Sequence, residues 1–245
     1  MSALVTRDDR DGLALLTLNR PDKLNSLTVG MFRELRAHVI DLKKDAAIGC
    51  VVLRGAGRCF SAGHDLGDIA EGEKVPSPGW HSETLRMLET LPQPVIAAVH
   101  GHCYTGALEV ALAADFIIAA DNAKFGDTHA KWALTPIWGM SQRLPRRVGY
   151  LKAKEMSYTA RVYSGAEAAA FGLANQCVAD DQLEGVVTAM AADIVATSWH
   201  SLRGNKMLYN KGQDYTFRDG VAFEMAESPG RGPDIEERLK AFQKG

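Results

Sequence analysis

The sequence predicts an α/β fold, and three observations carry that prediction. Short apolar runs of strand length, at residues 13–18, 50–53, 95–99 and 116–119, are interleaved with longer stretches of helical periodicity. The run at 95–99, VIAAV, is apolar throughout, which suits a strand covered on both faces. From Leu183 onward the chain is rich in Ala, Met, Leu and charged residues and reads as successive helices.

LALLTL at residues 13–18 is punctuated by Asn19, Arg20, Pro21 and Asp22, a turn that delivers Lys23, Leu24 and Asn25. Thr28 is placed to cap a helix. Met31, Phe32, Leu35, Val39, Ile40 and Leu42 then recur at helical spacing, with Arg33, Glu34, Arg36, Lys43 and Lys44 on the other side. CVVL at 50–53 is the next buried strand. The following stretch, GAGRCFSAGHDLGDI, carries glycines at 55, 57, 63 and 67, where the backbone can approach a ligand closely. Its spacing fits neither a P-loop nor a dinucleotide fingerprint. Residues 67–79 mix Gly, Pro, Glu and Lys without periodicity and are expected to form a mobile surface loop. Leu85, Met87, Leu88 and Leu91 mark a helix.

VIAAVHGHCYTGALEVALAAD, residues 95–115, reads as a buried strand, a turn of small residues and a helix. A helix opening near Gly106 leaves its first N–H groups unpaired and aims the positive end of its dipole at the turn, which makes a seat for an oxyanion. Glu109, three residues on and on the same side, is a carboxylate in an otherwise apolar segment. An ion pair or the helix dipole explains such an acid as well as chemistry does. A strand followed by a glycine-bearing turn with His and Cys occurs twice, at 50–66 and at 95–112. SGAEAAAFGLAN from Ser164 reads as a helix ending at Gly172, followed by a strand at 176–178.

A chain of 245 residues suffices for one large α/β domain with a helical appendage, divided here as a core at 1–190 and a helical region at 191–245. A formal net charge of -2 gives no electrostatic reason to propose nucleic acid as a partner. Cys50, Cys59, Cys103 and Cys177 form no CxxC pair, so a reducing compartment is expected. The N-terminal stretch lacks an apolar h-region and no uncharged run is long enough to span a bilayer, so the expected location is cytoplasmic, with no membrane partner. His100 and His102 form an HxH without a clear further ligand, and no metal is expected.

Four motifs in order resemble the crotonase (enoyl-CoA hydratase/isomerase) family: LNRPDKLNSL at 18–27, CFSAGHDL at 59–66, TGALEVALAAD at 105–115 and KFGDTHAKWALTPIWGMSQRLPR at 124–146. The similarity runs from about Leu13 to the C-terminus. It implies a crotonase-like spiral of ββα units forming two roughly perpendicular sheets, with C-terminal helices that mediate trimers or hexamers. It also implies an acyl-CoA substrate, coenzyme A being part of that substrate and no separate cofactor being needed. By the resemblance, the N–H groups of His64 and Gly106 form an oxyanion hole, and Glu109 is catalytic. Coenzyme A would lie along Lys23, Leu24, Ser61, Ala62, Asp65 and Leu66, while Trp132 and Trp138 are either core or pocket wall.

The pattern departs from the family at its second glutamate. Counted from Phe125 and Gly126, that position is His129. His129 can replace the missing acid as a general acid/base, Asp127 can swing in, or Glu109 can act alone. The last option suits isomerisation, decarboxylation or hydrolysis better than hydration, and the GHD of residues 63–65 also resembles the methylmalonyl-CoA decarboxylase branch. The expected function is therefore an enoyl-CoA hydratase or isomerase acting through a thioester enolate. The alternatives are a decarboxylase or hydrolase of the same fold, or a non-catalytic acyl-CoA binding protein.

Overall fold

The computed structural model describes residues 3–243. The first strand, β1 (Val5–Arg10), pairs antiparallel with β2 (Leu13–Leu18) through Asp11 and Gly12, both at positive φ (48° and 80°), as a two-residue hairpin turn requires. Crossovers then build a parallel sheet from β2, β3 (Cys50–Gly55), β4 (Val95–Val99), β6 (Phe116–Ala120) and β9 (Gln176–Val178), in the order β1-β2-β3-β4-β6-β9. Alternate residues serve opposite faces. Val51, Leu53, Ala97, Val99, Ile117 and Ala119 enter the main core, whereas Cys50, Val52, Ile96, Ala98 and Ile118 meet Val187 and Ala191 of α8 (Leu183–Ala196).

The main core is closed by α1 (Val29–Leu42), which buries Met31, Phe32, Leu35, Val39 and Leu42 and is capped by the Thr28 hydroxyl accepting from the Met31 N–H at 3.2 Å. Residues 67–79 are not loop throughout. Leu66–Ala70 forms a short helix, α2, because the Asp65 carboxylate accepts the Gly67 and Asp68 N–H groups, and α3 (Trp80–Glu89) follows. A second sheet of three short strands, β5 (His102–Tyr104), β7 (Lys124–Gly126) and β8 (Tyr163–Ser164), carries α4 (Gly106–Leu112) at its edge. Two parallel bridges hold the glycine-bearing turn after β3: Leu27 with His64 ties it to the segment before α1, and Ser61 with Cys103 ties it to β5, just before α4.

The helices α5 (Met140–Val148), α6 (Tyr150–Thr159) and α7 (Gly165–Ala170) flank these sheets, α7 opening on a Ser164–Glu167 capping box. Helices α9 (Trp199–Gly212), α10 (Phe217–Glu227) and α11 (Ile235–Phe242) complete the chain. The expected division at 190/191 falls inside α8, which packs on β2, β3, β4 and β6. Among the described residues no helix is long and apolar enough to cross a membrane.

Candidate active site

The Ser61–Cys103 bridge brings the two glycine-bearing turns together, and two buried side chains hold the first of them in place. Asn25 is fully buried. Its amide NH2 donates to the Ala56 and Cys59 carbonyls at 2.8 and 2.9 Å, and its side-chain oxygen accepts from the Arg20 N–H. Ser61, also fully buried, donates its hydroxyl to the Asn25 carbonyl at 2.7 Å and accepts from the Gly63 N–H. Gly63 has φ of 103°, and a Cβ there would strike the Tyr104 carbonyl. Thr105, which caps α4, is held at φ 46° and ψ -112° by its N–H bond to the Gly126 carbonyl. This is a strained setting for a β-branched residue, of the kind that concentrates at functional sites. At Gly106 a Cβ would run into the Trp138 ring, so close packing fixes the glycine.

His64, Gly106, Glu109, His129 and Trp138 line one cavity of about 230 Å³. Among the described residues, neither the His64 N–H nor the Gly106 N–H donates to a backbone acceptor. Glu109 is 1% exposed, and its Oε1 accepts from the N–H groups of Trp138 at 3.1 Å and Met140 at 2.9 Å. Burial pushes its carboxyl up to about 7, against those two N–H groups and His129. Its other oxygen, Oε2, lies 3.9 Å from His129 Nε2. On the far side of the imidazole, Nδ1 is 2.6 Å from Asp127 Oδ1, and Asp127 Oδ2 accepts the Ser157 hydroxyl at 2.6 Å. Burial alone would raise Asp127, but the hydrogen bonds from His129 and Ser157 bring it below the usual carboxylate range.

A second polar cluster borders the cavity. Glu73 Oε1 is 3.0 Å from His64 Nε2 and 3.4 Å from His81 Nε2, and both imidazoles lie 4.6 Å from the Trp138 ring. Burial lowers His81 to about 4 despite the nearby Glu73, so its ring is neutral.

The structure therefore brings together His64, Gly106, Glu109, His129 and Trp138, with Asp127 behind His129. The residues expected along coenzyme A separate. Ala62, Leu66 and Trp132, the last 55% exposed, line an adjoining cavity of about 300 Å³ that shares His64 and His129 with the first. Ser61 is committed to the Asn25 carbonyl, and Asp65 pairs with Arg20 and accepts from the Ser26 hydroxyl while capping α2. Lys23 is exposed on a single 3-10 turn, Pro21–Lys23, and Leu24, at φ 53°, offers its carbonyl to the Ala62 N–H; neither residue lines a cavity described above. His100 Nε2 lies 2.9 Å from the Gly57 carbonyl and His102 Nδ1 lies 3.1 Å from the Tyr104 hydroxyl, so the two rings engage different partners.

Glu73, His81 and Ser157 were not singled out by sequence. Glu73 lies in an aperiodic stretch, and His81 and Ser157 each sit on helices whose packing alone brings them inward. Three larger depressions lie away from this site, two by the C-terminal helices, of about 710 and 460 Å³, and one of about 550 Å³ between the sheet and α8. None contains a buried carboxylate, so the chemistry selects the smaller cavity.

An α/β core whose two glycine-bearing turns are bridged beside a buried carboxylate is built as crotonase-type folds are. The crystal structure of an enoyl-CoA hydratase from Bacillus anthracis superposes with a TM-score of 0.93 at 33% identity, over 98% of this chain and 96% of that one. The profile of the family described as enoyl-CoA hydratase/isomerase matches residues 8–243. A short-chain-enoyl-CoA hydratase of Clostridium acetobutylicum is 34% identical over 86% of this chain and 83% of its own length. A crotonyl-CoA hydratase of Syntrophomonas wolfei is 34% identical over 89% and 85% respectively. The chain belongs to the enoyl-CoA hydratase/isomerase family, within the crotonase superfamily.

Proposed function

We propose that this protein hydrates a 2-enoyl-CoA thioester through an enolate held by the His64 and Gly106 N–H groups, with Glu109 and His129 moving the protons. The observation that carries the reading is the 3.9 Å gap between Glu109 Oε2 and His129 Nε2. That distance is too long for a direct hydrogen bond, yet one water about 2.8 Å from each atom satisfies both. Hydration needs this arrangement, because one group must take a proton from water while another supplies one to the α-carbon. The imidazole thus restores the pair that the missing glutamate removes. Two N–H donors aimed at the thioester oxygen stabilise the charge that develops on it, and loss of one such donor typically costs about 3–4 kcal/mol of transition-state stabilisation.

Coenzyme A enters as part of the substrate, and no further cofactor is invoked. Ala62, Leu66 and Trp132 line the adjoining cavity and are proposed to border the thioester arm. The core up to about residue 190 carries the site and the helices beyond it carry association into trimers or hexamers. Four free cysteines support a reducing, cytoplasmic setting.

The test is turnover of a panel of 2-enoyl-CoA thioesters from crotonyl-CoA upward, read as 3-hydroxyacyl-CoA formed. Absence of product above background at every chain length would sink the hydratase reading. A second reading draws on the Asp127-backed imidazole, which also suits water attack on the thioester carbonyl. Release of free CoA, or of carbon dioxide from a carboxylated acyl-CoA, would replace hydration by hydrolysis or decarboxylation.

A further inference from the structure

The geometry points to Asp127 as a positioning residue that fixes the tautomer of His129 and so divides the labour at the site: His129 takes the proton from water and Glu109 gives one to the α-carbon. The inference rests on the hydratase reading and deepens it.

Three contacts carry it. Asp127 is 1% exposed, and its two carboxylate oxygens face two different donors: Oδ1 is 2.6 Å from His129 Nδ1, and Oδ2 receives the Ser157 hydroxyl from α6 at 2.6 Å. A carboxylate held in the ionised form can only accept, and Asp127 sits below its usual range, so the imidazole proton belongs on Nδ1. The lone pair of the neutral ring is then on Nε2, the atom that faces Glu109 across 3.9 Å. Glu109 is the complementary member: its Oε1 is taken by the Trp138 and Met140 N–H groups, which leaves Oε2 facing the Nε2 lone pair across 3.9 Å, and burial, which pushes its carboxyl up to about 7, favours the protonated form there. The charged and titratable groups about His129 are Asp127 and Lys131 on its own segment, Glu109 from α4, His64, with which it shares both cavities, Glu73 in the first cavity and Tyr104 of β5 in the second.

The resulting step balances. As the water oxygen bonds to the β-carbon, its proton passes to His129 Nε2. The C=C electron pair moves onto the thioester oxygen as the enolate, and the Glu109 proton then adds to the α-carbon as the enolate collapses to the thioester. His129 is left protonated and Glu109 ionised, and return of the proton through the next bound water restores the resting pair.

The decisive experiment joins nitrogen NMR of histidine-labelled protein to kinetics on crotonyl-CoA. In the wild type at about pH 8, His129, assigned through the His129→Gln variant, is expected to carry its proton on Nδ1 and none on Nε2. Asp127→Asn is expected to move the proton to Nε2 and to lower kcat about 10²–10⁴-fold with KM nearly unchanged. Ser157→Ala is expected to lower kcat by a smaller factor and to shift the pH–rate profile. Should Asp127→Asn fail to fold, the wild-type spectrum and Ser157→Ala still decide. A wild-type proton on Nε2, or an Asp127→Asn enzyme with unchanged kcat, would overturn the proposal. Failure of the wild type to hydrate any enoyl thioester would instead remove the hydratase reading and the roles assigned to His129 and Glu109, leaving the ring-nitrogen spectrum as the judge of Asp127 alone.

Discussion

At Glu109 the burial that tunes the carboxyl for chemistry also weakens the fold. Its acidity is displaced from 4.5 to about 7, so between those values the native state holds a proton that the unfolded chain has released. Stability therefore falls as pH rises through that window and stays reduced above it, by an amount on the order of 3 kcal/mol. Glu109→Gln keeps an acceptor for the Trp138 and Met140 N–H groups while removing the charge. We expect denaturant unfolding to show the variant more stable by on the order of 2–3 kcal/mol at about pH 8, with the gain gone by about pH 4, while kcat falls about 10²–10⁴-fold. Equal stability at both pH values would show that the charged form is not penalised. Asp65 works in the opposite sense. Burial would raise it, but Arg20, Ser26 and the Gly67 N–H bring it down to about 2, so its contribution is present above the unfolded value of 3.8 and is lost as pH falls through about 2. Asp65→Asn is expected to lose about 1 kcal/mol at neutral pH, solvent screening at this near-surface site included, and progressively less as pH falls through about 2, as read by chemical denaturation across that range.

Among the elements, α4 and its entry turn have the least room for change. The place of a Cβ at Gly106 is taken by the Trp138 ring, so Gly106→Ala must displace either the indole or the start of the helix. Overpacking of this kind costs about 1–3 kcal/mol. We expect a lower Tm and, because the first N–H of the helix moves with it, a fall in kcat of about 10²-fold or more; unchanged turnover would remove Gly106 from the oxyanion hole. This strand, turn and helix were legible in sequence because an apolar run, an unusual glycine and a solitary acid are local signals. The strands β2 and β4 fall on the residues read for them, and Thr28 caps α1. In contrast β1 was missed, since VTRDDR on the edge of the sheet lacks an apolar pattern, although Asp11 and Gly12 carried the hairpin signal. The short strands β5, β7 and β8 exist through partners distant in sequence, which periodicity does not report. At the site, Glu109 stands out by contrast, whereas His129 emerges only through the family resemblance, as the position of the second glutamate counted from Phe125 and Gly126. The bond from the Ser157 hydroxyl to Asp127 and the approach of Glu73 to His81 arise only when α6 and α3 dock.

For the whole molecule the contrast lies between a sheet covered on both faces and a C-terminal region whose apolar residues face outward. Phe217, Val221 and Met225 are 90%, 44% and 82% exposed, and their four-residue spacing lays them along one side of α10. Leu239 and Phe242 of α11 are 56% and 86% exposed. No residue of α10 is buried, so the helix lacks an anchor of its own in the core. A stripe of large apolar side chains on so lightly held a helix is the mark of a face completed by another subunit. Such a stripe fits self-association, for which the family resemblance implies a trimer or two paired trimers, and sedimentation at micromolar concentration checks it. The double variant Phe217→Asp, Met225→Asp is expected to sediment as a monomer. If association is what holds α9–α11 in place, wild-type Tm rises with protein concentration whereas that of the variant does not. A wild type that is monomeric with a concentration-independent Tm would assign the exposed stripe to something other than a second copy of this chain.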